Sequence, residues 1–187
     1  MNKVLIALVV LLAAGGMGYI SINNSLVAKD EACELAAKEI DNQLQRRYEF
    51  LPNYIAMVSK AIKVEAGIMD KFAEARKMAA GADTIGDKAA AEGEIRSVLS
   101  RLMVVVESYP NLKTSETMLH GQDELAGTEN RLATARMRYN EAVNDYNVAI
   151  KKFPGSLFGR SPREYFNPPV AHENLNKTPD VKKMLDE

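Results

Sequence analysis

The chain has 187 residues, of which 47% are hydrophobic and 26% charged, a length that suits one domain with a buried core. Its 24 Lys and Arg residues balance 25 Asp and Glu residues, so no surplus of cations is available to bind nucleic acid. A single cysteine, Cys33, excludes an intrachain disulfide framework and a cysteine-rich metal site.

An apolar segment opens the chain. Val4 to Ile20 is a run of 17 residues without a charge, close to the shortest helix that crosses a bilayer. We predict a retained membrane anchor over residues 1–22. A cleaved signal peptide is the alternative, because Gly16 and Gly18 supply small residues at a suitable spacing. The residues expected to contact lipid are Val4, Leu5, Leu8, Leu11, Leu12, Tyr19 and Ile20.

The charges that flank the anchor say little about its orientation. Lys3 precedes the segment, whereas Lys29 and Lys38 follow it, so the positive-inside rule counts the two sides almost equally. The short, positively charged N-terminal flank favours an external body. Within the anchor, Ala14 and Gly18 are four residues apart, a weak signal for helix self-association.

Beyond the anchor, apolar residues recur at steps of three and four and predict helices over 26–51, 53–80, 95–109 and 118–153. We therefore predict an all-α fold, with the transmembrane helix followed by an antiparallel four-helix bundle of long helices over 23–166. Pro52 either ends the first helix or kinks one continuous helix. Loops are expected at 81–87 and at 109–111.

Several polar side chains fall on or beside the apolar seams of these helices. Buried charges are costly unless they are paired, so we expect Glu–Arg pairs across the bundle that fix the register of the helices. A polar core site for a ligand or a metal is the alternative. The residues concerned are Arg46, Arg47, Glu65, Arg76, Gln122, Glu129 and Arg136.

The residues needed for catalysis are scarce. His120 and His172 are the only histidines, and neither follows a glutamate at the spacing that a di-iron bundle requires. Cys33 has no histidine nearby in the sequence and occupies a seam position, which favours a core role. We predict no enzyme activity, no cofactor and no metal.

Motifs between residues 19 and 166 resemble the LemA family in order and spacing. They are Asn24–Val27, Ile40–Arg47, Leu51–Asn53, Ser108–Lys113, Thr128–Arg136, Tyr139-Asn140, Tyr146-Asn147, Lys152–Gly155 and Arg163–Phe166. The resemblance implies a structural role for Gln43, Pro52, Asn53, Pro110, Asn130, Arg131, Tyr139, Asn140, Tyr146, Asn147, Pro154 and Gly155. Ala37 and Val64 depart from the family pattern, which has tryptophan and histidine there.

The same resemblance implies a bacterial single-pass membrane protein without an established activity or cofactor. One relative acts in building magnetosome membranes. We therefore expect a non-enzymatic scaffold in the inner membrane, with its body on the periplasmic side. It self-associates into a homo-oligomer or a large assembly and organises or remodels the bilayer. The alternative is an adaptor or sensor that binds a partner envelope protein.

The last segment, 167–187, contains three prolines and should not form a long helix. It is either a free tail or an extended strap that docks on a neighbouring subunit. In the second case its apolar anchors are Leu175, Val181, Met184 and Leu185.

Overall fold

A computed structural model of the protein describes residues 3–62 and 66–167. All of its regular elements are helical, which confirms the all-α part of the predicted fold class; no strand occurs in these two ranges. The elements are α1 (Lys3–Ala61), α2 (Ala66–Ala80), α3 (Ile85–Glu107), α4 (Pro110–Lys113), α5 (Glu116–Lys151) and a 3-10 helix (Gly155–Phe158).

Helix α1 continues through Pro52, so the alternative in which this proline ends the first helix is wrong. Proline lacks the N–H of the helical hydrogen bond, and its ring crowds the preceding turn. Packing offsets that cost, because Leu51, Tyr54 and Ile55 on either side of Pro52 are all buried. The predicted second helix is consequently divided: residues 53–61 belong to α1, whereas 66–80 form α2.

Helix α3 begins ten residues before the predicted start at Ile95. The Thr84 hydroxyl accepts a hydrogen bond from the Asp87 N–H at 3.1 Å, and Asp87 accepts one from the Thr84 N–H at 3.3 Å. This reciprocal cap fixes the first turn of α3. The predicted loop over 81–87 is therefore wrong in its second half. The predicted break at 109–111 is confirmed as an interruption, although it contains the short helix α4.

Helices α1 and α5 run antiparallel along the anchor-proximal part of the body. Their direction is clear from two contacts between them: Arg47 contacts Glu129, and Tyr54, further along α1, contacts Met118, which is earlier in α5. The predicted seam is confirmed over most of both helices by the buried residues Leu26, Cys33, Ile40, Leu44, Leu132, Tyr139, Val143, Tyr146 and Ile150. Phe153, predicted as the last seam residue, is instead 81% exposed because α5 ends at Lys151.

A second core lies at the distal end of the body, where α2 and α3 join α1. It contains Leu51, Ile55 and Val58 of α1, Phe72 of α2 and Leu102 of α3. Helix α5 reaches this core through Met118. Close approach depends on Gly121, where an added Cβ would lie 2.7 Å from the Tyr54 ring. The arrangement of all four long helices as one bundle remains a prediction.

Candidate functional site

A buried arginine joins three helices in the middle of the body. Arg47 of α1 is 2% exposed, and its Nη1 donates to Glu92 Oε1 of α3 at 2.8 Å and to Glu129 Oε2 of α5 at 2.7 Å. Hydrogen bonds of this charge-assisted kind are the strong ones in proteins. The contacts fix the register of α1, α3 and α5 at one level.

Two further arginines complete the network around Glu129. Arg96 Nη2 of α3 lies 2.8 Å from Glu129 Oε1, and Arg136 Nη2 of α5 lies 3.4 Å from the same oxygen. Glu129 therefore accepts from three guanidinium groups. With three cations and two carboxylates, the network carries a formal charge of +1.

Burial governs the protonation equilibria in this network. Desolvation raises the pKa of Glu92, although Arg47 acts in the opposite direction. Desolvation also lowers the pKa of Arg136, and neighbouring Arg96 lowers it further. Tyr48 lies close by, and burial together with the charge of Glu92 raises its pKa to about 12. Among the described residues, neither Arg47 Nε nor Glu92 Oε2 has a hydrogen-bond partner.

The expected Glu–Arg pairing across helices is confirmed for Arg47 and Glu129, with Arg136 beside them. Arg46 and Arg76 are exposed, so their placement on a buried seam is wrong. Arg46 is exposed because it directly precedes the inward-facing Arg47, and adjacent side chains of a helix point about 100° apart. Arg76 fails because α2 is a separate helix whose buried face is Ile68, Phe72 and Ala75.

Another predicted seam residue, Gln122, lies beside the network. Gln122 is half-buried and lines a groove of about 480 Å³ between α3 and α5, where Arg47 and Glu129 also lie. Glu65 lies outside the described residues, as does Val64.

Glu92 and Arg96 are the members of the network that sequence reasoning missed. Glu92 precedes Ile95, where the predicted helix begins, whereas Arg96 lies inside that helix but one residue away from the apolar seam. Extending that repeat back by one turn reaches Glu92, and the Thr84–Asp87 spacing marks the start of the helix. A fully buried glutamate at a seam position then indicates a cation on a facing helix.

Residues 159–167, which we call the return segment, run back along α5 without regular secondary structure. The Asn147 side chain donates to the Arg163 carbonyl at 2.9 Å and accepts from the Arg163 N–H at 2.8 Å. Asn140 pairs in the same way with Phe166, at 3.2 and 2.8 Å. Asn140 and Asn147 are seven residues apart on α5, a distance of about 10 Å. Three residues of extended chain, the separation of Arg163 and Phe166, cover about the same distance, so the two asparagines are correctly spaced to bind the segment at both points.

Side chains of the return segment extend this attachment to α1. Arg163 Nε lies 2.5 Å from Asp30 Oδ1, and its Nη2 lies 3.1 Å from Glu34 Oε1. The hydrogen bond with Asp30 raises the pKa of Arg163. The Tyr139 hydroxyl donates to the Glu164 carbonyl at 2.9 Å, and the Phe166 ring is buried in the core. The Tyr-Asn motifs on α5 therefore attach the chain that follows the helix.

The remaining family-motif residues occupy varied positions. Gln43 is buried and donates to Glu39 at 2.6 Å, whereas Arg131 forms an exposed pair with Glu124 at 2.8 Å. Pro110 is the first residue of α4. Tyr146 is buried, Asn53 and Asn130 are exposed, and a structural role for these last two remains a prediction.

Pro154 and Gly155 form the turn after α5. Gly155 is buried so tightly that an added Cβ would clash with the Ala149 carbonyl oxygen, so only glycine fits there.

Groups capable of catalysis are dispersed in the described part of the chain. Within 3–62 and 66–167, no cluster of three or more histidine, cysteine or acidic residues could hold a metal. Burial raises the pKa of the fully buried Cys33 thiol. His120 is exposed beside Glu116, and His172 lies outside the described residues, as do the predicted tail anchors beyond 167.

The apolar N-terminal segment is the first part of α1 and is long and apolar enough to cross a membrane. None of the residues in its most apolar part is buried within the described chain. Each predicted lipid contact is more than half exposed: Val4, Leu5, Leu8, Leu11, Leu12, Tyr19 and Ile20. The helix continues from this segment into the body without a break.

Comparison with known proteins places the chain in a family. The model of the LemA family matches residues 36–182, a region that includes the ion-pair network and the return segment. The chain belongs to the LemA family.

Three relatives carry the name of magnetosome proteins. Magnetosome proteins MamQ 1 and MamQ 2 of Paramagnetospirillum magneticum are each 35% identical over 99 residues. These matches cover 51% of this LemA protein and 36% of each relative, so the chain spans about a third of their length. Magnetosome protein MamQ of Magnetospirillum gryphiswaldense is 25% identical over 192 residues, covering 87% of the chain and 71% of the relative.

Proposed function

We propose that this LemA protein is a non-enzymatic, membrane-anchored scaffold that self-associates and helps to organise or remodel a bacterial membrane. The observation that carries the proposal is the uninterrupted course of α1 from an exposed apolar segment into the body. A helix without a hinge transmits the orientation of the anchor to the domain that follows. Residues 1–22 are the anchor, and the body projects on the periplasmic side of the inner membrane.

The length of α1 determines the reach of the body. From Ile22 to Ala61 the helix spans about 60 Å at about 1.5 Å per residue. The return of α5 along α1 stiffens this stem, and α2 and α3 thicken its distal end. We interpret α1, α2, α3 and α5 as one antiparallel four-helix bundle held in register by the ion-pair network.

Exposed apolar side chains support self-association of the body. Leu35 on α1 is 67% exposed, Val104 on α3 is 64% exposed and Met137 on α5 is 56% exposed. Such side chains are candidates for burial between protomers. Ala14 and Gly18 would allow close helix packing within the bilayer.

The relatives support the membrane-organising part of the proposal. They are named magnetosome proteins, and a magnetosome is a membrane-bounded compartment, so a role in shaping or organising membrane is the corresponding function here. A scaffold needs a stable shape and contact surfaces, both of which the body offers, and it needs no catalytic group.

Reconstitution tests this function directly. The full chain is inserted into vesicles, and their shape and surface density are examined by electron cryomicroscopy. We expect ordered protein coats or altered curvature. Leu35→Asp combined with Met137→Asp should abolish both while leaving the helical content unchanged, whereas Asn53→Asp, at an exposed polar site, should have no effect. Smooth vesicles with evenly dispersed protein in all three samples would refute the scaffold.

An adaptor function is the second candidate, and one observation favours it. The groove between α3 and α5 is lined by the apolar residues Leu99, Met103 and Leu125, next to Arg47 and Arg96. A partner segment with apolar and acidic residues would complement this lining. Crosslinking from Ser100→Cys in intact cells would then capture one envelope protein, whereas the scaffold predicts crosslinks between copies of the chain.

A further inference from the structure

The turn that follows α5 exposes two large apolar side chains. Phe153 is 81% exposed and Leu157 is 73% exposed, although Gly155 between them is buried. Gly155 is buried against α5, and the Leu157 N–H donates to the Pro154 carbonyl at 3.1 Å. The Ser156 N–H also donates to the Lys152 carbonyl at 2.9 Å. A well-bonded turn therefore holds both side chains outward.

This turn lies at the level where the anchor ends. The Phe158 ring stacks on Tyr19 of α1, with 4.8 Å between the ring centroids. One turn further along α1, Asn23 Oδ1 accepts from Arg160 Nη2 at 3.1 Å. Because Tyr19 occupies the last turn of the apolar segment, the exposed side chains of the turn lie beside the interfacial layer of the bilayer.

The charged residues within the turn and its immediate sequence flanks are all positive. Residues 146–163 contain Lys151, Lys152, Arg160 and Arg163 and no acidic residue, in a chain that is otherwise nearly neutral. Arg163 is paired with Asp30 and Glu34. Lys151 and Lys152 are exposed and form no ion pair within the described ranges. Exposed apolar residues flanked by lysines are the composition of an interfacial membrane-binding surface.

We propose that the turn over 151–158 is a second membrane contact, in which Phe153 and Leu157 insert into the interface of the bilayer that holds the anchor. Lys151 and Lys152 bind anionic lipid headgroups beside it. This inference rests on the proposed anchor. The body would then be attached to the membrane at two points, because α1 enters the bilayer and the end of α5 contacts its surface. This second contact would restrict the tilt of α1 relative to the membrane.

The absence of tryptophan from the chain provides a direct probe of this contact. Phe153→Trp makes a single-tryptophan protein, to be reconstituted as the full chain in vesicles of phosphatidylcholine and phosphatidylglycerol. Lipids brominated in the upper acyl chain quench only an indole that they touch. We expect quenching of about twofold, because an interfacial side chain lies at that depth.

Two further tryptophan variants serve as the positive and the negative control for quenching by lipid. Leu11→Trp, at the middle of the anchor, should be quenched by lipids brominated in the lower acyl chain. Val104→Trp, on an exposed apolar site of α3 in the distal part of the body, should not be. If Leu11→Trp is unquenched and the protein does not float with the vesicles, the anchor itself is wrong. If Leu11→Trp is quenched and Phe153→Trp is not, the anchor stands and the second contact is overturned.

A second copy of the chain is the competing occupant of this surface. It would shift the emission of Phe153→Trp to shorter wavelength with no quenching by brominated lipid, which would overturn the membrane contact.

The lysines are tested in the Phe153→Trp background. We expect quenching to fall when phosphatidylglycerol is omitted, and Lys151→Gln with Lys152→Gln to remove that dependence. Quenching that is indifferent to lipid charge in the unmodified background would overturn the headgroup contact.

Discussion

Replacement of Glu129 by alanine tests the ion-pair network at its most connected member. The substitution removes the acceptor of Arg47, Arg96 and Arg136 together and raises the formal charge of the network from +1 to +2. Breaking a buried ion pair costs about 3–5 kcal/mol. Arg47 keeps its contact with Glu92, and Glu129 is 36% exposed, so solvent screens part of the loss. We expect about 2–3 kcal/mol of destabilisation.

Thermal unfolding of the full chain in detergent micelles, followed by far-UV circular dichroism, measures this loss. For a domain of this size, about 2–4 °C of Tm accompanies each kcal/mol, so the expected decrease in Tm is about 5–10 °C. Glu124→Ala is the matched control, because it removes an exposed pair with Arg131 on the same helix and should cost less than about 0.5 kcal/mol. Equal Tm values for the two variants would refute the reasoning.

Three further predictions concern Glu92, the return segment and the turn after α5. Burial raises the pKa of Glu92 in the folded protein above its value in the unfolded chain. The folded state therefore binds this proton more tightly, and the stability gained in this way is fully present below the unfolded pKa and is lost as pH rises through the folded pKa. Glu92→Gln should therefore cost less than Glu129→Ala at neutral pH and flatten the acid side of the Tm–pH profile; an unchanged profile would contradict this. Asn147→Ala should cost about 1–3 kcal/mol through two lost hydrogen bonds and speed hydrogen exchange at 160–167, whereas Asn130→Ala, at an exposed site of the same helix, should not. Gly155→Ala should destabilise the protein by about 1–3 kcal/mol, because the added methyl group clashes with Ala149. Gly67→Ala, at an open helical position, should instead stabilise it by about 0.5–1 kcal/mol, so the two Tm values should shift in opposite directions.

The sequence predicted the helices best where apolar spacing is long and regular. Leu26 to Leu51 and Leu132 to Ile150 keep a constant phase, and both seams are buried as expected. Pro52 was ambiguous because the cost of a proline inside a helix is local, whereas the packing that offsets it comes from distant residues. Arg76 was misplaced because the repeat was carried past the end of α1 into a helix with its own phase.

The polar contacts were predictable only in part. The seam position of Glu129 indicated a buried pair, but its partner Arg96 directly follows the seam residue Ile95 and is not itself on the seam, so the apolar pattern does not mark it. The attachment of the return segment by Asn140 and Asn147 could not be derived from periodicity, because side-chain bonds to a distant backbone leave no regular spacing in the segment that they bind. The recurrence of Tyr-Asn seven residues apart was the available signal.

The mass of the detergent-extracted full-length protein tests self-association, which is central to the scaffold, most directly. Single-particle mass measurement at micromolar concentration, with the detergent contribution subtracted, counts the 20.6 kDa subunits in each particle. The scaffold predicts a discrete population of high multiples, which Leu35→Asp with Met137→Asp reduces to single subunits. A uniform population of single subunits for the unmodified chain would contradict the scaffold and favour the adaptor.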